Sequence, residues 1–384
     1  MLIVLLVGAF INLARPLPHA DASIVAITSQ VNSVKLAWPA GGYAAFGAKG
    51  YGVLATHGSQ SQRPMASISK LVTVLAVLEK HPLKPGQQGP MLTMTDADVA
   101  LFNKYYGMGG SYVKVEPGEK ISEYQALQAI LLPSANNMAD SLATWAYGSM
   151  GNYHAFANSM LQQLGYKNTV VGVDASGFDP ASKSTPTDLV KLGERAMNNP
   201  VIAEIVAQKS ATIPVHGIIY SANSRLGLDN IIGIKTGLTD EAGGCFLFAA
   251  NHNVDGKQVM MIGAIMGEPT LRAALEASEP LLHSAKPYFT VQTPVKAGEV
   301  FATLKTKWNT TANVVAKNDL SLVAWQGAAL SPRIELDDIK SSKPAGAEVG
   351  TAFVSSGSNS SSTPLVLQEG ITGPTWQWRL QRVN

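Results

Sequence analysis

The chain has 384 residues, of which 46% are hydrophobic and 15% are charged, and its formal net charge is +2. This balance excludes an intrinsically disordered chain, because enough apolar side chains are present to form a core. A nucleic-acid-binding face is not expected, since no cluster of Lys and Arg is available to neutralise phosphates. The single cysteine, Cys245, excludes an intramolecular disulfide bond and a thiolate metal cluster.

The N-terminus has features of an export signal. Residues 1–14 form a nearly uncharged apolar run, which is short for a membrane-spanning helix but has the length of the hydrophobic part of a signal peptide. Residues 20–22, Ala-Asp-Ala, offer a small-x-small cleavage site, although no basic residue precedes the apolar run. We therefore predict that residues 1–22 are a leader and that the protein works outside the cytoplasm. A buried first strand or helix is the alternative.

The next part of the chain predicts strands followed by helices. Residues 23–55 carry short alternating apolar stretches broken by Gly and Pro, which is typical of strands. Residues 71–80 are apolar on almost every side and predict a helix buried inside a domain. Ser122 and Gln125 have the spacing of a capping box, and Pro133 ends the helix that they begin. Further helices are predicted at residues 137–147, 153–164, 186–198 (with Thr185 as the cap) and 271–282.

The rest of the chain is predicted to be rich in strands. Residues 230–267 contain three apolar runs, and the Asp-Gly pair at 255–256 predicts a hairpin between the last two. Residues 287–384 alternate short strand-like runs with turn residues, which indicates a small all-β domain. Within it, the low-complexity residues 355–363 predict a flexible loop, and the alternating residues 376–380 predict a closing strand.

Ser67 and Lys70 form an S-x-x-K motif at the start of the predicted buried helix. Residues three apart on a helix lie on one face, so the Lys70 amine can reach the Ser67 hydroxyl. A serine hydroxyl is a poor nucleophile until a base takes its proton, and a partly desolvated lysine near other cations can be that base. A second S-x-x-K, at residues 111–114, lies in a Gly-rich, strand-like stretch where residues three apart face opposite sides. We interpret that copy as structural.

Two further motifs follow the first in a fixed order. Residues 134–136, Ser-Ala-Asn, come directly after the helix that ends at the proline, and residues 235–237, Lys-Thr-Gly, lie inside a predicted strand. S-x-x-K, S-x-N and K-T-G in this order are the signature of serine acyl-enzymes that react with penicillin. Each motif alone is ambiguous, and a second S-x-N occurs at residues 221–223, but the ordered triple in these contexts is specific.

The three motifs and their flanking sequences, PMASISKL, LLPSANNMADSLA and GIKTGLTDEAGGCF, resemble those of low-molecular-weight penicillin-binding proteins of the D-alanyl-D-alanine carboxypeptidase family, serine peptidase family S11. The similarity covers roughly residues 23–285. It implies an α+β fold of the serine β-lactamase and penicillin-binding transpeptidase type, an antiparallel sheet with helices, over residues 23–286. A small β-rich C-terminal domain over residues 287–384 is also implied.

The resemblance implies a function and roles for the first two motifs. The expected reaction removes the terminal D-Ala from peptidoglycan stem peptides that end in D-Ala-D-Ala, and β-lactams are expected as covalent inhibitors. Ser67 would attack the carbonyl of the penultimate D-Ala, and Lys70 would be its base. The Ser134 hydroxyl would relay a proton towards the leaving amine, and Asn136 would hydrogen-bond the substrate.

The resemblance also implies roles around the third motif. Lys235 would supply positive potential, which favours a neutral lysine base nearby, and Thr236 would offer its hydroxyl to the terminal carboxylate of the substrate. Gly237 belongs to the same substrate-binding strand. The backbone N–H groups of the nucleophile and of Leu238 would form the oxyanion hole. Arg272, at the start of the following predicted helix, would steer the carboxylate; a solvated arginine at a helix end is the alternative.

Three other functions remain open from the sequence. A D,D-transpeptidase or endopeptidase differs only in the acceptor or in the bond that is cut. A class A β-lactamase needs a glutamate in an E-x-x-x-N context, and residues 194–198 match these letters but lie close to the third motif. The middle motif is also S-A-N rather than S-D-N. A non-catalytic protein that binds the cell wall is disfavoured, because Ser67, Lys70, Ser134 and Lys235 are all intact.

Further residues that could carry chemistry have structural interpretations. The seven histidines show no paired spacing typical of a metal site, so neither a metal nor a cofactor is predicted. Asp174 is interpreted as a turn residue near the site, and Cys245 as an inert buried thiol. Many members of the family end in a long amphipathic membrane helix, whereas this chain ends in a strand-like run. Any membrane association is therefore expected through the N-terminus.

Overall fold

The computed structural model describes residues 12–27 and 31–382 of the chain. Its contacts divide the described residues into two compact units, one of residues 35–287 and one that combines residues 12–27 and 31–34 with 288–382. The boundary between residues 287 and 288 lies next to the domain boundary that the sequence predicts after residue 286. Residues 23–27 and 31–34, which the sequence assigned to the catalytic domain, group with the β-rich unit. Of the expected leader, residues 1–11 lie outside the described residues.

Helices belong mainly to the larger unit, and a single short helix of the described residues lies near the C-terminus. In chain order they are α1 (Lys70–Lys80), α2 (Asp96–Gly107), α3 (Glu123–Leu131), α4 (Asn136–Tyr147), α5 (Met150–Gln163), α6 (Pro186–Asn198), α7 (Pro200–Val206), α8 (Leu271–Ala285) and α9 (Trp376–Gln381). The helices predicted from the sequence over residues 71 to 282 are thus confirmed, with bounds that differ by a few residues.

Strands occur in both units and pair antiparallel throughout the described residues. In chain order they are β1 (Asp21–Ile24), β2 (Tyr43–Ala48), β3 (Gly52–His57), β4 (Arg63–Pro64), β5 (Met91–Thr93), β6 (Lys120–Ser122), β7 (Lys183–Ser184), β8 (Ser210–Ile213), β9 (Gly217–Tyr220), β10 (Ile231–Thr239), β11 (Gly243–Val254), β12 (Lys257–Glu268), β13 (Phe289–Val295), β14 (Val300–Lys305), β15 (Thr311–Ala316), β16 (Leu320–Trp325), β17 (Ser331–Leu336), β18 (Glu348–Ser356) and β19 (Asn359–Leu367).

A five-stranded sheet with the order β10–β11–β12–β2–β3 forms the centre of the larger unit. The predicted hairpin at residues 255–256 is confirmed, since Val254 pairs with Lys257. Helix α8 packs on β11 and β12, and α6 packs on β12 and β2. Gly193 permits the close approach of α6, because a Cβ there would lie 3.1 Å from side chains of Ile234, Leu247 and Ile262. Strand β10, which carries the K-T-G motif, is an edge strand and packs on the turn that precedes α1.

Helix α1 is the centre of the helical part of this unit. Its residues from Lys70 to Leu78 are all buried, as predicted from its uniformly apolar sequence, and α3, α4 and α5 enclose the same core. The predicted capping box at Ser122 and Gln125 is present at the start of α3. The side chain of Thr185 caps α6 by accepting a hydrogen bond from the backbone of Asp188. These local signals fix where the helices begin, and burial of apolar faces fixes how they pack.

The β-rich unit contains a six-stranded sheet with the order β1–β14–β15–β19–β18–β17. Residues 355–363 do not form the flexible loop predicted from their composition; they are the tip and flanking residues of the β18–β19 hairpin, in which Ser356 pairs with Asn359. The strand predicted at residues 376–380 is also wrong. This segment is helix α9, which begins where the Thr375 side chain accepts a hydrogen bond from the backbone of Trp378.

The described residues include no helix of the length and apolar character required to cross a bilayer. Part of the expected leader is structured within the β-rich unit. Strand β1 pairs with β14, and the backbone N–H of Ala20 donates to the Ile339 carbonyl. A cleavage after residue 22 would remove half of β1.

Candidate active site

Ser67 and Lys70 meet at the start of α1. Ser67 lies in a short 3₁₀ turn, Ala66–Ser69, and Lys70 is the first residue of the α-helix that follows. The Lys70 Nζ atom lies 2.8 Å from the Ser67 Oγ atom, which confirms the one-face geometry expected from the spacing. Ala66 has a left-handed backbone conformation with φ of 48°, so the turn that presents Ser67 is strained.

The Lys70 side chain is completely buried and has three hydrogen-bond partners. Besides Ser67, its Nζ atom lies 2.6 Å from the Asn136 Oδ1 atom and 2.9 Å from the Ser176 carbonyl oxygen. Burial lowers the pKa of Lys70 well below its ordinary value, and the positive charge of Lys235 lowers it further, while Asp174 and Asp140 oppose the shift. A lysine in this state is suited to accept a proton from a hydroxyl group.

The S-x-N motif lies between α3 and α4. Ser134 has a φ of 68° and is 5% exposed, and Asn136 is the first residue of α4. The backbone N–H of Asn136 donates to the Ser111 carbonyl at 2.8 Å, which anchors this helix start. Gly110 is also required here, because a Cβ on it would lie 2.7 Å from the Asn136 Nδ2 atom. The loop therefore brings Asn136 into contact with Lys70 and Ser134 into contact with Lys235.

The K-T-G motif, on the edge strand β10, contacts both Ser134 and the turn that carries Ser67. The Lys235 Nζ atom lies 2.9 Å from the Ser134 Oγ atom and 3.0 Å from the Thr236 carbonyl oxygen. Burial lowers the pKa of Lys235 to about 7. A Cβ on Gly237 would lie 3.1 Å from the Ser67 backbone nitrogen, so this glycine permits the strand to pack against the nucleophile turn. The Leu238 side chain is 53% exposed at the mouth of the site.

A cleft of about 700 Å³ opens beside these residues. Its lining combines apolar side chains with carboxylates, and includes Tyr105, Met108, Asp174, Phe178, Leu238 and Glu241. The cleft adjoins the site through Asp174 and Leu238.

Arg272 is not brought into this cluster. Its side chain is 85% exposed, and its Nε atom pairs with the Glu276 carboxylate one helical turn later at 2.7 Å. It lines a shallow surface pocket together with Arg225 and Leu275. A role for Arg272 in binding a substrate carboxylate therefore stays a prediction, and its surroundings are those of a solvated arginine at the start of a helix.

The side chains of the competing motifs that carry charge have partners outside the group of Ser67, Lys70, Ser134 and Lys235. In the second S-x-x-K, Lys114 forms an exposed ion pair with Glu116 rather than a contact with its serine. The Glu194 carboxylate, in the E-x-x-x-N pattern, accepts a hydrogen bond from the Gly50 backbone at 2.8 Å. Cys245 is buried, as predicted, and burial raises the pKa of its thiol to about 11.

Two groups next to Lys70 were not identified from the sequence. One is the Ser176 carbonyl oxygen, a backbone atom that leaves no signature in residue types. The other is Asp140, a buried carboxylate on α4 that accepts hydrogen bonds from the Tyr105 hydroxyl at 2.7 Å and the Ala175 backbone at 2.9 Å. The available signal was the position of Asp140 in the sequence that flanks the S-x-N motif. Asp174 lies in a turn at the site, as expected.

One group of potential metal ligands occurs among the described residues, outside this site. Asp229, Glu279 and His283 place ligand atoms within 4.8 Å of one another. Both carboxylates have basic neighbours, since Asp229 lies 4.0 Å from Lys286 and Glu279 lies 3.5 Å from Arg225. We therefore describe this group as a surface ion-pair network.

Fold and site together define a class of protein. A serine in contact with a buried lysine, a second serine held by a second lysine, and an α+β unit around them are the parts of a serine acyl-enzyme. The sequence profile of the Peptidase S11 family, described as D-alanyl-D-alanine carboxypeptidase, matches residues 33–270. The chain belongs to this family.

Curated relatives extend the similarity. The chain is 28% identical over 257 residues to the D-alanyl-D-alanine carboxypeptidase DacA of Escherichia coli, a match that covers 65% of this chain and 61% of that protein. It is 25% identical over 357 residues to DacC of the same organism, covering 86% of this chain and 85% of that protein. A D-alanyl-D-alanine endopeptidase of Haemophilus influenzae is 30% identical over 216 residues, covering 55% and 70%. The chain thus spans about three fifths of the length of DacA.

Solved structures share the fold. Penicillin-binding protein 5 of Haemophilus influenzae superposes with a TM-score of 0.62 at 19% identity, covering 89% of this chain and 99% of that one. The D-alanyl-D-alanine carboxypeptidase DacD of Francisella tularensis superposes with a TM-score of 0.61 at 16% identity, covering 91% and 97%. These similarities confirm the α+β fold of the penicillin-binding type with a β-rich second unit.

Proposed function

We propose that the protein is a serine-type D-Ala-D-Ala carboxypeptidase that removes the terminal D-Ala from peptidoglycan stem peptides. The contact of 2.8 Å between the Lys70 Nζ and Ser67 Oγ atoms is the observation that carries this proposal. A hydroxyl becomes a competent nucleophile when a neutral base lies within hydrogen-bond distance, and the lowered pKa of Lys70 favours the neutral amine that serves as this base.

In the acylation step, the Ser67 proton passes to the Lys70 amine while the Ser67 oxygen attacks the carbonyl carbon of the penultimate D-Ala. The negative charge that develops on the carbonyl oxygen is stabilised by backbone N–H groups of Ser67 and Leu238. The intermediate then collapses, the peptide bond breaks, and the leaving amine takes the proton through the Ser134 hydroxyl. D-Ala departs, and the peptide remains as an ester on Ser67.

Hydrolysis regenerates the enzyme. Water loses a proton to Lys70, its oxygen attacks the ester carbonyl, and Ser67 recovers its proton as the ester bond breaks. Lys235 holds the Ser134 hydroxyl and provides the positive potential that favours a substrate ending in a carboxylate. Thr236 and Asn136 hydrogen-bond the substrate, and Arg272 is kept as a further candidate for its carboxylate.

Several observations favour this function over the competing ones. Within the described residues, the contacts of Ser67 and Lys70 do not include the glutamate that a class A β-lactamase would need, and Glu194 is bound to the Gly50 backbone instead. A non-catalytic wall-binding protein has no requirement for two completely buried lysines. Endopeptidases occur among the relatives, so cleavage of cross-linked stems is the second candidate function. We place the protein outside the cytoplasm, with any membrane association through the N-terminus.

The test is covalent labelling with a fluorescent penicillin, followed by a denaturing gel and intact-mass measurement. Wild-type protein is expected to carry one penicilloyl group, and Ser67→Ala none. Lys114→Ala is the control because it alters the exposed lysine of the second S-x-x-K and should label like wild type. Release of D-Ala from a diacetyl-Lys-D-Ala-D-Ala peptide is the second readout. Rapid destruction of penicillin without an adduct would indicate a β-lactamase, and no reaction at all would refute the proposal.

A further inference from the structure

The loop of residues 174–179, which we call the clamp loop, is held by two carboxylates. The Asp174 carboxylate accepts hydrogen bonds from four backbone N–H groups of the loop. The Asp140 carboxylate accepts a hydrogen bond from the backbone N–H of the residue before those four. The donors are Ala175 at 2.9 Å to Asp140, and Ser176 at 2.6 Å, Gly177 at 2.7 Å, Phe178 at 3.2 Å and Asp179 at 2.7 Å to Asp174. Five consecutive backbone donors are thus bound by two buried acidic side chains.

The carbonyl groups of the clamp loop bind helix α1. The Ala175 carbonyl oxygen accepts a hydrogen bond from the Thr73 hydroxyl at 2.6 Å, and the Ser176 carbonyl oxygen accepts one from the Lys70 Nζ atom at 2.9 Å. Thr73 and Lys70 lie one turn apart on the same face of α1. Because all the neighbouring N–H groups are fixed by carboxylates, these two carbonyl oxygens have little freedom to turn away from the helix.

The position of the Ser176 carbonyl oxygen matters for the direction of proton transfer. A neutral lysine amine has two N–H bonds and one lone pair, and the Lys70 Nζ atom has three partners. When Asn136 Oδ1 and Ser176 carbonyl oxygen each accept one N–H, the lone pair is directed at the Ser67 hydroxyl. Loss of either acceptor would free the amine to rotate and to donate to Ser67 instead, which is the wrong direction for catalysis.

We propose that Asp174 and Asp140 are positioning residues that hold the clamp loop so that the Ser176 carbonyl oxygen orients the Lys70 amine towards Ser67. This inference rests on the proposed function, since it assigns Lys70 the role of the base. Asp174 acts through the loop backbone, and Asp140 acts through Ala175 while it is itself held by the Tyr105 hydroxyl.

The two carboxylates also act on Lys70 through their charge. The groups that face the amine electrostatically are Lys235 on β10, which lowers its pKa, and Asp174 and Asp140, which raise it. Tyr105, on α2, is in contact with Asp140 and stays neutral because burial and that carboxylate raise its pKa. Removing one negative charge leaves Lys235 less opposed, so the pKa of Lys70 falls further and its neutral form persists to lower pH.

The experiment measures the rate constant of acylation by a fluorescent penicillin between pH 4 and pH 9 for wild type, Asp174→Asn and Asp140→Asn. Both substitutions keep the size of the side chain and remove its charge. The plateau rate is expected to fall at least about 10-fold in Asp174→Asn. The acidic limb of the profile is expected to shift to lower pH by roughly half a unit or more in both variants. Asp98→Asn is the control, since this carboxylate binds the Thr95 backbone at the start of α2.

The readouts separate positioning from a general loss of structure. Thermal unfolding and the final fraction of labelled protein report whether each variant folds, and Asp140→Asn covers the case in which Asp174→Asn does not. A lower plateau without a shift of the acidic limb in either variant would overturn the inference, because a purely structural defect does not move a pKa. Unchanged profiles would overturn it too. Absence of labelling in wild type would instead refute the proposed function, on which the inference depends.

Discussion

Gly177 provides a sharp test of how tightly the clamp loop is packed against the nucleophile turn. It has a φ of +74°, and a Cβ at this position would lie 2.1 Å from the Ala66 carbonyl oxygen and 2.6 Å from the Ser69 Cβ atom. Both contacted residues flank Ser67. In Gly177→Ala, the added methyl group must therefore displace either the clamp loop or the turn that presents the nucleophile.

The expected loss of unfolding free energy in Gly177→Ala has two contributions. An L-residue in the left-handed region costs roughly 1–2 kcal/mol of folding free energy, and an extra methyl group in a well-packed site costs roughly 1–3 kcal/mol. We expect Gly177→Ala to lower the free energy of unfolding by about 2–5 kcal/mol. Gly165→Ala is the matched control, because Gly165 has a φ of +80° and no heavy atom lies within 4 Å of its Cβ position among the described residues. That variant should lose about 1–2 kcal/mol.

The assay combines thermal unfolding by circular dichroism with the rate of acylation by a fluorescent penicillin. Each kcal/mol corresponds to roughly 2–4 °C in Tm for a domain of 150–250 residues. Gly177→Ala should unfold at a clearly lower temperature than Gly165→Ala and should acylate more slowly, whereas Gly165→Ala should acylate like wild type. Equal Tm values for the two variants, together with an unchanged acylation rate in Gly177→Ala, would refute the close packing that we describe.

Three further predictions concern buried ionisable groups. Both carboxylate oxygens of Glu123 are buried without a hydrogen-bond partner among the described residues, and burial raises its pKa from 4.5 to about 7. This carboxylate therefore destabilises the fold increasingly as pH rises through that range, and Glu123→Gln should raise Tm relative to wild type more at pH 8 than at pH 5. The pKa of Lys235 is lowered to about 7, so its charge is lost above that pH. In wild type, kcat/KM for an anionic peptide should fall above pH 7, and Lys235→Arg should abolish this fall because arginine stays charged. Burial raises the pKa of the Cys245 thiol to about 11, so a maleimide should modify it only after denaturation.

Contradictory outcomes are equally specific. A Tm gain in Glu123→Gln that is the same at pH 5 and pH 8 would show that the charge of the carboxylate is not its cause. An alkaline fall that persists in Lys235→Arg would assign that limb to another group. Modification of Cys245 in the native protein at neutral pH would contradict its burial.

The sequence predicted contacts within the motifs where the spacing of residue types sets the local geometry. Ser67 and Lys70 are one helical turn apart, and this local geometry alone brings their side chains together. The helix starts at Ser122 and Thr185 were also predictable, since a capping side chain binds backbone groups only two or three residues away. In each case the interaction is local, so the sequence pattern contains most of the information.

Features that depend on distant parts of the chain were not predictable in the same way. The Ser176 carbonyl oxygen contacts Lys70 across 106 residues and could belong to any residue type. Residues 355–363 are poor strand formers by composition, but pairing of β18 with both β17 and β19 fixes them in a sheet. The alternation of apolar and polar residues from Trp376 to Leu380 fits a strand. The segment nevertheless forms a six-residue helix, which the Thr375 side chain caps. Arg272 lies at the chain position expected for a carboxylate-binding arginine, but its side chain forms an ion pair with Glu276.

Strand β1 has a consequence for the order in which the protein can assemble. The β-rich unit is built from both ends of the chain, and the larger unit is inserted between them. During synthesis from the N-terminus, β1 cannot pair until residues 300–305, which form its partner strand β14, have been synthesised. A recombinant fragment that starts at residue 288 would lack β1 and expose the unpaired edge of β14. Exposed strand edges promote aggregation between copies of a chain. Studies of this unit in isolation should therefore supply residues 12–34 as a fused or separate segment.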